Sequence, residues 1–398
     1  MKKIIENSYD YLFIGMLLLL PFSLAFPSIV LGLLVFSFIL DIKKVNLDRI
    51  KTVPFYILYS LFLFIFIKAL INNSLIIDQK LLSRYLFVLV IPILFLKIKD
   101  IEKIKTALIV SIQLMIAVSI FKITKHYIIF NNFPLGDGLL VNELLVLERP
   151  YAGCMSLMGL ILSLEKIRDN DKNKGLFIFF SIMSIFFIVL IAARNSFITL
   201  LFLFFLYIFF YLKISKRYKF TFIGFWLLII VTIISLNKNI LERFHINKDI
   251  EGTLSKIAIF EPRYVIWPCA YDLTKKEEFN YIVGYKSETE ISAGLINCYS
   301  QKISNESRRG WFLERRFNTH NQFLAFFLSS GIIGFLALVS FYFFSLYLYR
   351  YNFFAVAILI SFLFFFLFEN VLSRQFGCYI FAIFTSLFLL KNKINEKE

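Results

Sequence analysis

Long apolar runs separated by short basic segments constrain this chain more than any other feature. A helix that crosses a bilayer needs roughly 20 mainly apolar residues, and hydrophobic residues make up 59% of these 398 positions. Soluble domains usually contain roughly 45–50%. The sequence therefore predicts an all-α polytopic membrane protein with about twelve transmembrane helices. The predicted spans are 11–25, 27–40, 54–71, 80–96, 104–121, 151–164, 175–193, 195–212, 220–236, 325–349, 353–368 and 376–390.

The first apolar stretch, residues 11–40, is too long for one straight span and contains Pro21 and Pro27. Proline removes a backbone donor and clashes with the preceding helical turn. We therefore expect a hairpin of two short helices that turns near PFSLAFP. A single tilted helix is the alternative that these residues leave open.

The distribution of basic residues explains the net charge of +16. Of the 43 Lys and Arg residues, 22 fall in the termini and in alternate short loops, and seven fall in the intervening short segments. Cytoplasmic loops carry the excess of Lys and Arg, so both termini are predicted to be cytoplasmic and nucleic-acid binding is not expected. The inner loops are 41–53, 97–105, 165–174, 213–219 and 350–352.

One long polar segment, residues 237–319, separates spans nine and ten on the outer side. Its 83 residues include 13 basic and 11 acidic side chains, enough for a small loop domain on the membrane surface. The chain then divides into 1–236 with spans one to nine, this loop domain, and 320–398 with spans ten to twelve. Cys269 and Cys298 lie in the loop domain, where a disulfide and two free thiols are both compatible with the sequence.

The predicted topology places several cations and one histidine at the outer membrane face. They are Arg149, Arg194, Arg263, His320 and Arg374. Arginine binds phosphate oxygens bidentately and stays charged, and histidine accepts a proton near neutral pH. Fixed cations also stabilise a departing pyrophosphate. The group suits a phosphorylated lipid substrate and a transfer reaction that needs no metal.

Simpler structural interpretations of these residues stay open. Arg194 is compatible with a snorkelling turn residue, and His320 with a helix cap or a packed side chain. Glu369 is compatible with a local salt bridge to Arg374.

Two local expectations concern the neighbouring helices. Asn318 or Thr319 is expected to cap the helix that starts near His320. Lys68 is the main charge within a predicted span, and we expect its side chain to snorkel towards the membrane surface.

The stretch NTHNQFLAFFLSSGIIGFLAL (318–338) resembles the His-Asn motif of the O-antigen ligase superfamily. In that family the motif reads H-N-x-[FY]-L and is followed after a short interval by G-[IL]-x-G. The corresponding residues are His320, Asn321, Phe323, Leu324, Gly331 and Gly334.

Three further segments are similar to segments of the family. PRYVIW carries an R-x-x-x-W pair as Arg263 and Trp267, and ARNSFITLLF carries Arg194 at the outer end of the mid-chain spans. ENVLSRQFG resembles the E-x-x-L-x-R-Q-x-G segment of Bacteroidetes-type members, with Glu369 and Arg374.

One position departs from the family pattern. The family often has G-x-G at the turn after the R-x-x-x-W segment, whereas the turn here reads GYK at 284–286. The resemblance otherwise extends along the chain as a whole, in the predicted twelve spans and one large late loop.

The resemblance implies an inverting, metal-independent glycosyltransferase with a GT-C-like membrane fold and no cofactor. It implies an O-antigen ligase of lipopolysaccharide biosynthesis, which moves a glycan from undecaprenyl pyrophosphate to lipid A-core. The implied location is the bacterial inner membrane, with the active site and the loop domain periplasmic. The implied partners are the lipid-linked glycan donor, a lipid A-core or glycan acceptor, and membrane lipids.

The resemblance also assigns roles to individual residues. His320 becomes the catalytic base or a residue that orients the acceptor, and Arg194 and Arg263 become pyrophosphate-binding residues. Arg374 and Arg149 are added as pyrophosphate-binding residues by position and local pattern, with Asn321 and Glu369 as supporting residues.

Other functions share the same features. An O-antigen polymerase or a protein O-oligosaccharyltransferase uses the same donor with a different acceptor. Polymerases of one type carry Arg-Gly motifs in two large outer loops, and the single large loop here favours the ligase. A lipid or polysaccharide transporter is disfavoured, because the sequence shows no matching halves and its charges gather at one face.

Overall fold

The computed structural model describes residues 2–42, 45–132, 138–215, 217–222, 224 and 261–390. Within these ranges the regular secondary structure is helical, without a strand. The first nine helices are α1 (Lys2–Leu19), α2 (Ala25–Leu40), α3 (Val53–Ile71), α4 (Gln79–Phe95), α5 (Ile101–Phe130), α6 (Gly138–Leu144), α7 (Arg149–Arg168), α8 (Lys174–Leu190) and α9 (Arg194–Leu206). The later helices are α10 (Arg263–Leu273), α11 (Glu288–Lys302), α12 (Glu306–Arg315), α13 (Gln322–Tyr349), α14 (Phe353–Phe368) and α15 (Gln375–Leu389).

The predicted break in the first apolar stretch is confirmed. Helix α1 ends at Leu19 and α2 begins at Ala25, and the two helices pack against each other. Pro21 lies in the intervening turn. Pro27 lies in the first turn of α2, where a missing N–H leaves no helical hydrogen bond unmade.

Several helices have the length and composition of membrane spans. Four are long enough to cross a bilayer, namely Val53–Ile71, Ile101–Phe130, Arg194–Tyr211 and Gln322–Tyr349. Shorter apolar helices include Ala25–Leu40, Lys174–Leu190, Phe353–Phe368 and Gln375–Leu389. The architecture is all-helical and consistent with a polytopic membrane protein. The number twelve stays a prediction, because most of the ninth predicted span (220–236) lies outside the described residues.

The chain forms two compact units, each assembled from segments that are distant in sequence. Unit 1 comprises Met1–Lys44, Lys97–Lys248 and Tyr351–Ser361, and unit 2 comprises Val45–Leu96, Asp249–Arg350 and Phe362–Glu398. Unit 1 includes α1, α2 and α5–α9, whereas unit 2 includes α3, α4, α10–α13 and α15. The three-part division by membrane location stays a prediction.

A disulfide and an apolar core organise the described part of the loop domain in unit 2. Cys269 of α10 is bonded to Cys298 of α11, which decides the question that the sequence left open. Around this bond the side chains of Leu273, Leu295 and Phe312 are buried in one core. The disulfide therefore fixes α10 relative to α11 at the centre of the domain.

A turn of the loop domain fits into a break in the membrane helix α13. The break is at Gly331, whose φ is +60°. The N–H of Ile332 donates to the carbonyl of Tyr281 at 2.8 Å, and the N–H of Tyr285 donates to the carbonyl of Leu328 at 2.8 Å. Backbone groups freed by a helix break must find partners inside a membrane protein. The turn supplies them and joins the loop domain to α13.

Gly284 makes this junction possible without the second glycine of the family pattern. Its φ is +75°, and an added Cβ would collide with the backbone at Leu328 and Ser329. A Cβ at Gly331 would likewise collide with the carbonyl of Ile282. Two glycines with positive φ, one in the turn and one in α13, therefore take the place of the family's G-x-G turn.

Candidate active site

His320 lies in a tight turn immediately before α13. Its φ is +44°, a left-handed conformation that is uncommon for residues other than glycine. The side chain of Asn318 accepts a hydrogen bond from the N–H of His320 at 3.1 Å. Asn321 is the helix cap, because its Oδ1 accepts from the N–H of Leu324 at 2.9 Å. The expectation that Asn318 or Thr319 caps this helix is therefore wrong by two or three positions.

Asn370 holds the His320 turn from the opposite side of the site. Its Oδ1 accepts from the N–H of Asn321 at 2.7 Å and from the hydroxyl of Thr319 at 3.0 Å. The side chain of Asn321 also donates to the carbonyl of Leu367 at 3.1 Å. Buried amide–backbone hydrogen bonds of this kind fix a turn in one conformation. They attach the His320 turn to the end of α14.

Glu369 connects His320 with Arg263. Its Oε2 lies 3.2 Å from Nδ1 of His320, and its Oε1 lies 3.2 Å from Nη2 of Arg263. The His320 side chain is 20% exposed and that of Glu369 is 10% exposed. Glu369, which the sequence assigned a supporting role, is thus shielded from water, while the imidazole is within reach of a ligand.

The cations around Glu369 keep it ionised. Burial opposes ionisation of this carboxyl, but the hydrogen bond from His320 and the charges of His320, Arg263 and Arg374 outweigh it and lower its pKa. An ionised carboxylate has no proton to donate, so Nδ1 of His320 is the donor in their hydrogen bond. In the neutral imidazole, Nε2 then carries the lone pair and is the basic atom.

Arg263 is held by two carboxylates and a carbonyl. Its Nη1 lies 2.5 Å from Oε1 of Glu261, and its Nη2 donates to the carbonyl of Phe368 at 2.6 Å. Its Nε is buried without a hydrogen-bond partner among the described residues. The neighbouring Trp267 donates from Nε1 to the carbonyl of Thr319 at 3.1 Å. Trp267 therefore contacts the segment that carries His320, and Arg263 contacts Glu369, the partner of His320.

Arg374 immediately precedes α15 and follows a compact turn. The turn is braced by Gln322, whose side chain accepts from the N–H of Leu372 at 2.8 Å. Gly377 packs against Val371 so closely that a Cβ would collide with its carbonyl. This places the Arg374 charge near enough to Glu369 to contribute to its lowered pKa. The structure thus brings Arg263, His320 and Arg374 together around Glu369 in unit 2.

The other two predicted arginines lie in unit 1, at the starts of α7 and α9. Arg149 is 3% exposed, and Arg194 is partly exposed. Gly153, one turn into α7, approaches Ala193 and Ser196 so closely that a Cβ would lie 2.5 Å from the Ala193 Cβ. The two helix starts are therefore side by side. Each arginine adds positive charge to the positive end of a helix dipole.

Comparison with known proteins places the His320 turn within a recognised segment. The O-antigen ligase family model matches residues 179–339. Over these residues the chain is similar to the O-antigen ligase family. A search of curated proteins finds no match. Arg194, Arg263 and His320 of this O-antigen ligase-like chain lie inside the matched segment, whereas Glu369 and Arg374 lie beyond it.

A second group of charged residues in unit 2 was missed at the sequence level. Lys68 of α3 donates from Nζ to the carbonyls of Tyr285 and Ser329, so it holds the turn–α13 junction instead of snorkelling. Asp78 accepts from the N–H of Glu288 at 3.0 Å. Burial and the charge of Asp78 raise the pKa of Glu288 to about 7, against the opposing charge of Lys68.

The candidate site holds no recognisable set of metal ligands. Within the described ranges, no three or more His, Cys, Asp or Glu side chains lie close enough together to hold a metal ion.

Proposed function

We propose that this O-antigen ligase-like chain transfers a glycan from undecaprenyl pyrophosphate to lipid A-core at the periplasmic face of the inner membrane. The observation that carries the proposal is the His320–Glu369 pair. It lies at the motif histidine of the matched segment and leaves Nε2 of His320 as a basic atom on a partly exposed ring. The family match supports ligase- or polymerase-like glycan processing in general, and the donor and acceptor are our inference.

In the proposed reaction, His320 acts on the acceptor hydroxyl. Nε2 takes the hydroxyl proton as the acceptor oxygen forms a bond to the anomeric carbon of the donor glycan. The bond between that carbon and the pyrophosphate oxygen breaks, and undecaprenyl pyrophosphate leaves with the electron pair. Attack opposite the leaving group inverts the anomeric centre. Glu369 stabilises the imidazolium that forms, as the carboxylate does in a Ser-His-Asp triad.

Arginines are proposed to receive the leaving pyrophosphate. Arg374 carries its charge beside the His320–Glu369 pair, and Arg263 keeps one guanidinium N–H without a partner among the described residues. Charge-assisted hydrogen bonds from guanidinium groups stabilise phosphate oxygens strongly. Arg194 and Arg149 are proposed as further donor-binding residues. The support for them is their position at helix starts, and for Arg194 also its place in the matched segment.

The Cys269–Cys298 disulfide favours the proposed membrane orientation. Disulfides persist in the bacterial periplasm and are rare in the cytosol. Both cysteines lie in the polar loop domain, which the distribution of Lys and Arg also assigns to the outer side.

The decisive experiment replaces the proposed base. We expect His320→Ala to lower the rate of glycan transfer by about 100-fold or more, because general base catalysis contributes roughly 10²–10⁴. His126→Ala is the matched control, since His126 lies in unit 1 and stacks on Phe130 at 4.6 Å. Both variants are compared for transfer in membrane vesicles and for amounts of inserted protein. Normal transfer by His320→Ala would disprove the base assignment.

Donor binding and metal dependence are tested separately. Arg194→Gln and Arg263→Gln are expected to raise the Kd for the lipid pyrophosphate, because each removes a proposed phosphate contact. Unchanged affinity in both variants would reject the phosphate-binding role. Transfer is expected to persist in EDTA, and a loss that an added divalent metal restores would overturn the metal-free mechanism.

The glycolipids that a deletion strain makes identify the acceptor. A ligase deletion is expected to accumulate long lipid-linked chains, because polymerisation continues without transfer to the core. Single repeats on the core would identify an O-antigen polymerase instead. Loss of glycan from proteins, with normal lipopolysaccharide, would identify a protein O-oligosaccharyltransferase.

A further inference from the structure

Unit 1 contains a large cavity that has no part in the proposed transfer reaction. Its volume is about 660 Å³, within the roughly 300–1,000 Å³ of typical ligand sites. It lies between α7, α9 and the start of α14, and its walls include Leu160, Ile161, Leu203 and Phe204. Apolar walls of this size exclude a small polar ligand and suit a hydrocarbon chain.

One end of the cavity is basic. Arg168 and Lys174 line it, and they are the charged side chains among its described lining residues. Arg168 pairs with Asp169 at 2.8 Å and also lies over the ring of Phe354 at 4.5 Å. The Lys174 ammonium lies at a marginal 3.4 Å from Oδ1 of Asn170. Two cations at the end of an apolar cavity match an anionic headgroup attached to an acyl chain.

Aromatic side chains line the cavity close to its basic end. Tyr207 and Tyr211 pack edge-on against Phe353, with ring centroids 4.8 Å and 5.1 Å apart. Tyrosine is enriched at the level of lipid headgroups, because its ring prefers apolar surroundings and its hydroxyl prefers water. A lining that combines basic, aromatic and apolar residues therefore matches the headgroup, the interfacial region and the chain of a lipid.

The backbone is irregular at this position. Residues Tyr207–Tyr211 form a π-helical turn that continues α9. Such turns are rare and frequently occur at functional sites. Here the turn carries Tyr207 and Tyr211, which line the cavity, so the irregularity shapes the lining.

We propose that this cavity binds an anionic phospholipid of the membrane, with its phosphate at Arg168 and Lys174 and one acyl chain along the apolar walls. The basic residues belong to segment 165–174, and Tyr351 at the same cavity belongs to segment 350–352. The charge distribution assigns both segments to the cytoplasmic side, where phospholipid headgroups of the inner leaflet lie. This proposal does not depend on the transfer reaction.

The test measures lipid binding to the purified full-length chain. Delipidated protein in detergent is titrated with phosphatidylglycerol or phosphatidylcholine, and bound lipid is counted by native mass spectrometry. We expect preference for phosphatidylglycerol. The double variant R168Q/K174Q is expected to weaken phosphatidylglycerol binding by about 25-fold, since each cation near a headgroup contributes roughly fivefold. Both side chains are largely exposed, so their replacement should not impair folding.

Two further variants separate charge from shape. K172Q is the matched control, because Lys172 is exposed in the same turn and does not line the cavity. It is expected to bind phosphatidylglycerol as the parent chain does. L200W places an indole in the cavity and is expected to reduce binding of both lipids. Gel filtration of each variant checks its fold.

Four outcomes would overturn the proposal. These are equal binding of the two lipids by the parent chain, equal loss in R168Q/K174Q and K172Q, and unchanged binding in a folded L200W chain. The fourth is displacement of phosphatidylglycerol by an equimolar amount of polyprenyl phosphate, which would assign the cavity to the donor lipid family instead.

Discussion

Two glutamates of unit 2 respond to their surroundings in opposite ways. The pKa of Glu369 is lowered, whereas the pKa of Glu288 is raised to about 7. Burial disfavours the ionised form of both carboxyls. The difference shows that neighbouring charge, and not depth in the protein, decides which glutamate carries its negative charge at neutral pH.

The partners of the two carboxyls explain this difference. Glu369 faces His320, Arg263 and Arg374, and accepts a hydrogen bond from the imidazole. Glu288 lies beside Asp78, a second carboxylate, and Lys68 compensates this repulsion only in part. The first arrangement is that of an ionised residue that orients a base. The second arrangement favours the protonated form of Glu288 up to a pH of about 7.

The residues around Glu369 and those around Glu288 form two charged clusters. The Cys269–Cys298 disulfide connects α10 and α11, which each carry one member of one cluster. Arg263 begins α10 and Glu288 begins α11. Removing the bond is therefore expected to loosen both clusters and gives the largest effect. For a closed loop with a sequence separation of 29, the free energy of unfolding of the loop domain should decrease by about 3–4 kcal/mol.

The measurement is denaturant unfolding of the Cys269→Ser/Cys298→Ser double variant against the parent chain. Dithiothreitol should destabilise the parent by a similar amount and leave the double variant unchanged. Equal stability of parent and double variant would show that the bond does not hold the two clusters.

Replacing each glutamate by glutamine should separate their functions. Glu369→Gln is expected to lower kcat for glycan transfer by about 100-fold, because the neutral amide no longer stabilises the imidazolium of His320. The KM for the donor should change little, since Glu369 acts through His320. Glu288→Gln is the matched control and is expected to keep kcat within about threefold.

The same assay distinguishes a positioning role from a structural one. Glu369→Asp should recover part of the lost kcat, because it restores the negative charge. Loss of folded Glu369→Gln protein, detected by gel filtration, would indicate a structural role for Glu369. A kcat equal to that of the parent chain would show that Glu369 does not act through His320.

Removing the charge of Lys68 should raise the pKa of Glu288 further and weaken the α13 junction. Lys68→Met leaves the carbonyls of Tyr285 and Ser329 without their cationic donor. An unsatisfied buried carbonyl costs about 1–3 kcal/mol. We expect a corresponding decrease in the free energy of unfolding, with Lys68→Arg recovering part of it. An unchanged midpoint of denaturant unfolding would show that the junction does not depend on this side chain.

The smallest expected effect is a pH dependence of stability from Glu288. Its folded-state pKa of about 7 lies above the roughly 4.3 of an unfolded glutamate. The folded chain therefore binds more protons between these values, and its free energy of unfolding decreases as pH rises from about 4.3 to about 7. Because the side chain is partly solvent-accessible, we expect a decrease of about 1–2 kcal/mol.

Thermal unfolding at pH 5 and pH 8 tests this expectation. Glu288→Gln should remove this part of the pH dependence and be more stable than the parent at pH 8. Glu277→Gln, at an exposed position of the same domain, is the matched control and should behave as the parent. Identical pH curves for the parent and Glu288→Gln would show that Glu288 is not the titrating group.

Local patterns predicted much of the fold correctly. The apolar runs anticipated most described helices, and the prolines anticipated the break between α1 and α2. The turn that the sequence predicted at Arg194 lies a few residues earlier, since α8 ends at Leu190 and α9 begins at Arg194. Helices and turns are visible in sequence because residues close in the chain determine them.

The sequence predicted which residues belong to the candidate site better than it predicted how they are arranged. His320 and Asn321 were recognised from one motif, but the cap was assigned to the wrong residue. Lys68 was expected to reach the membrane surface, yet it binds two carbonyls more than 200 positions away. Asn370, which fixes the His320 turn, carried no signal, because an asparagine in a short loop is commonplace.

The sequence by itself determined a helical membrane chain, the distribution of its basic residues and the histidine on which the chemistry is proposed to depend. The tertiary structure decided which charges meet. His320 and Glu369 are 49 residues apart and Arg263 is 106 residues from Glu369, distances along the chain that no helical period encodes. Their contact arises from the packing of α10, α13 and α14. It lowers the pKa of Glu369, which becomes an orienting anion. Glu288 lacks such partners and keeps its proton near neutrality.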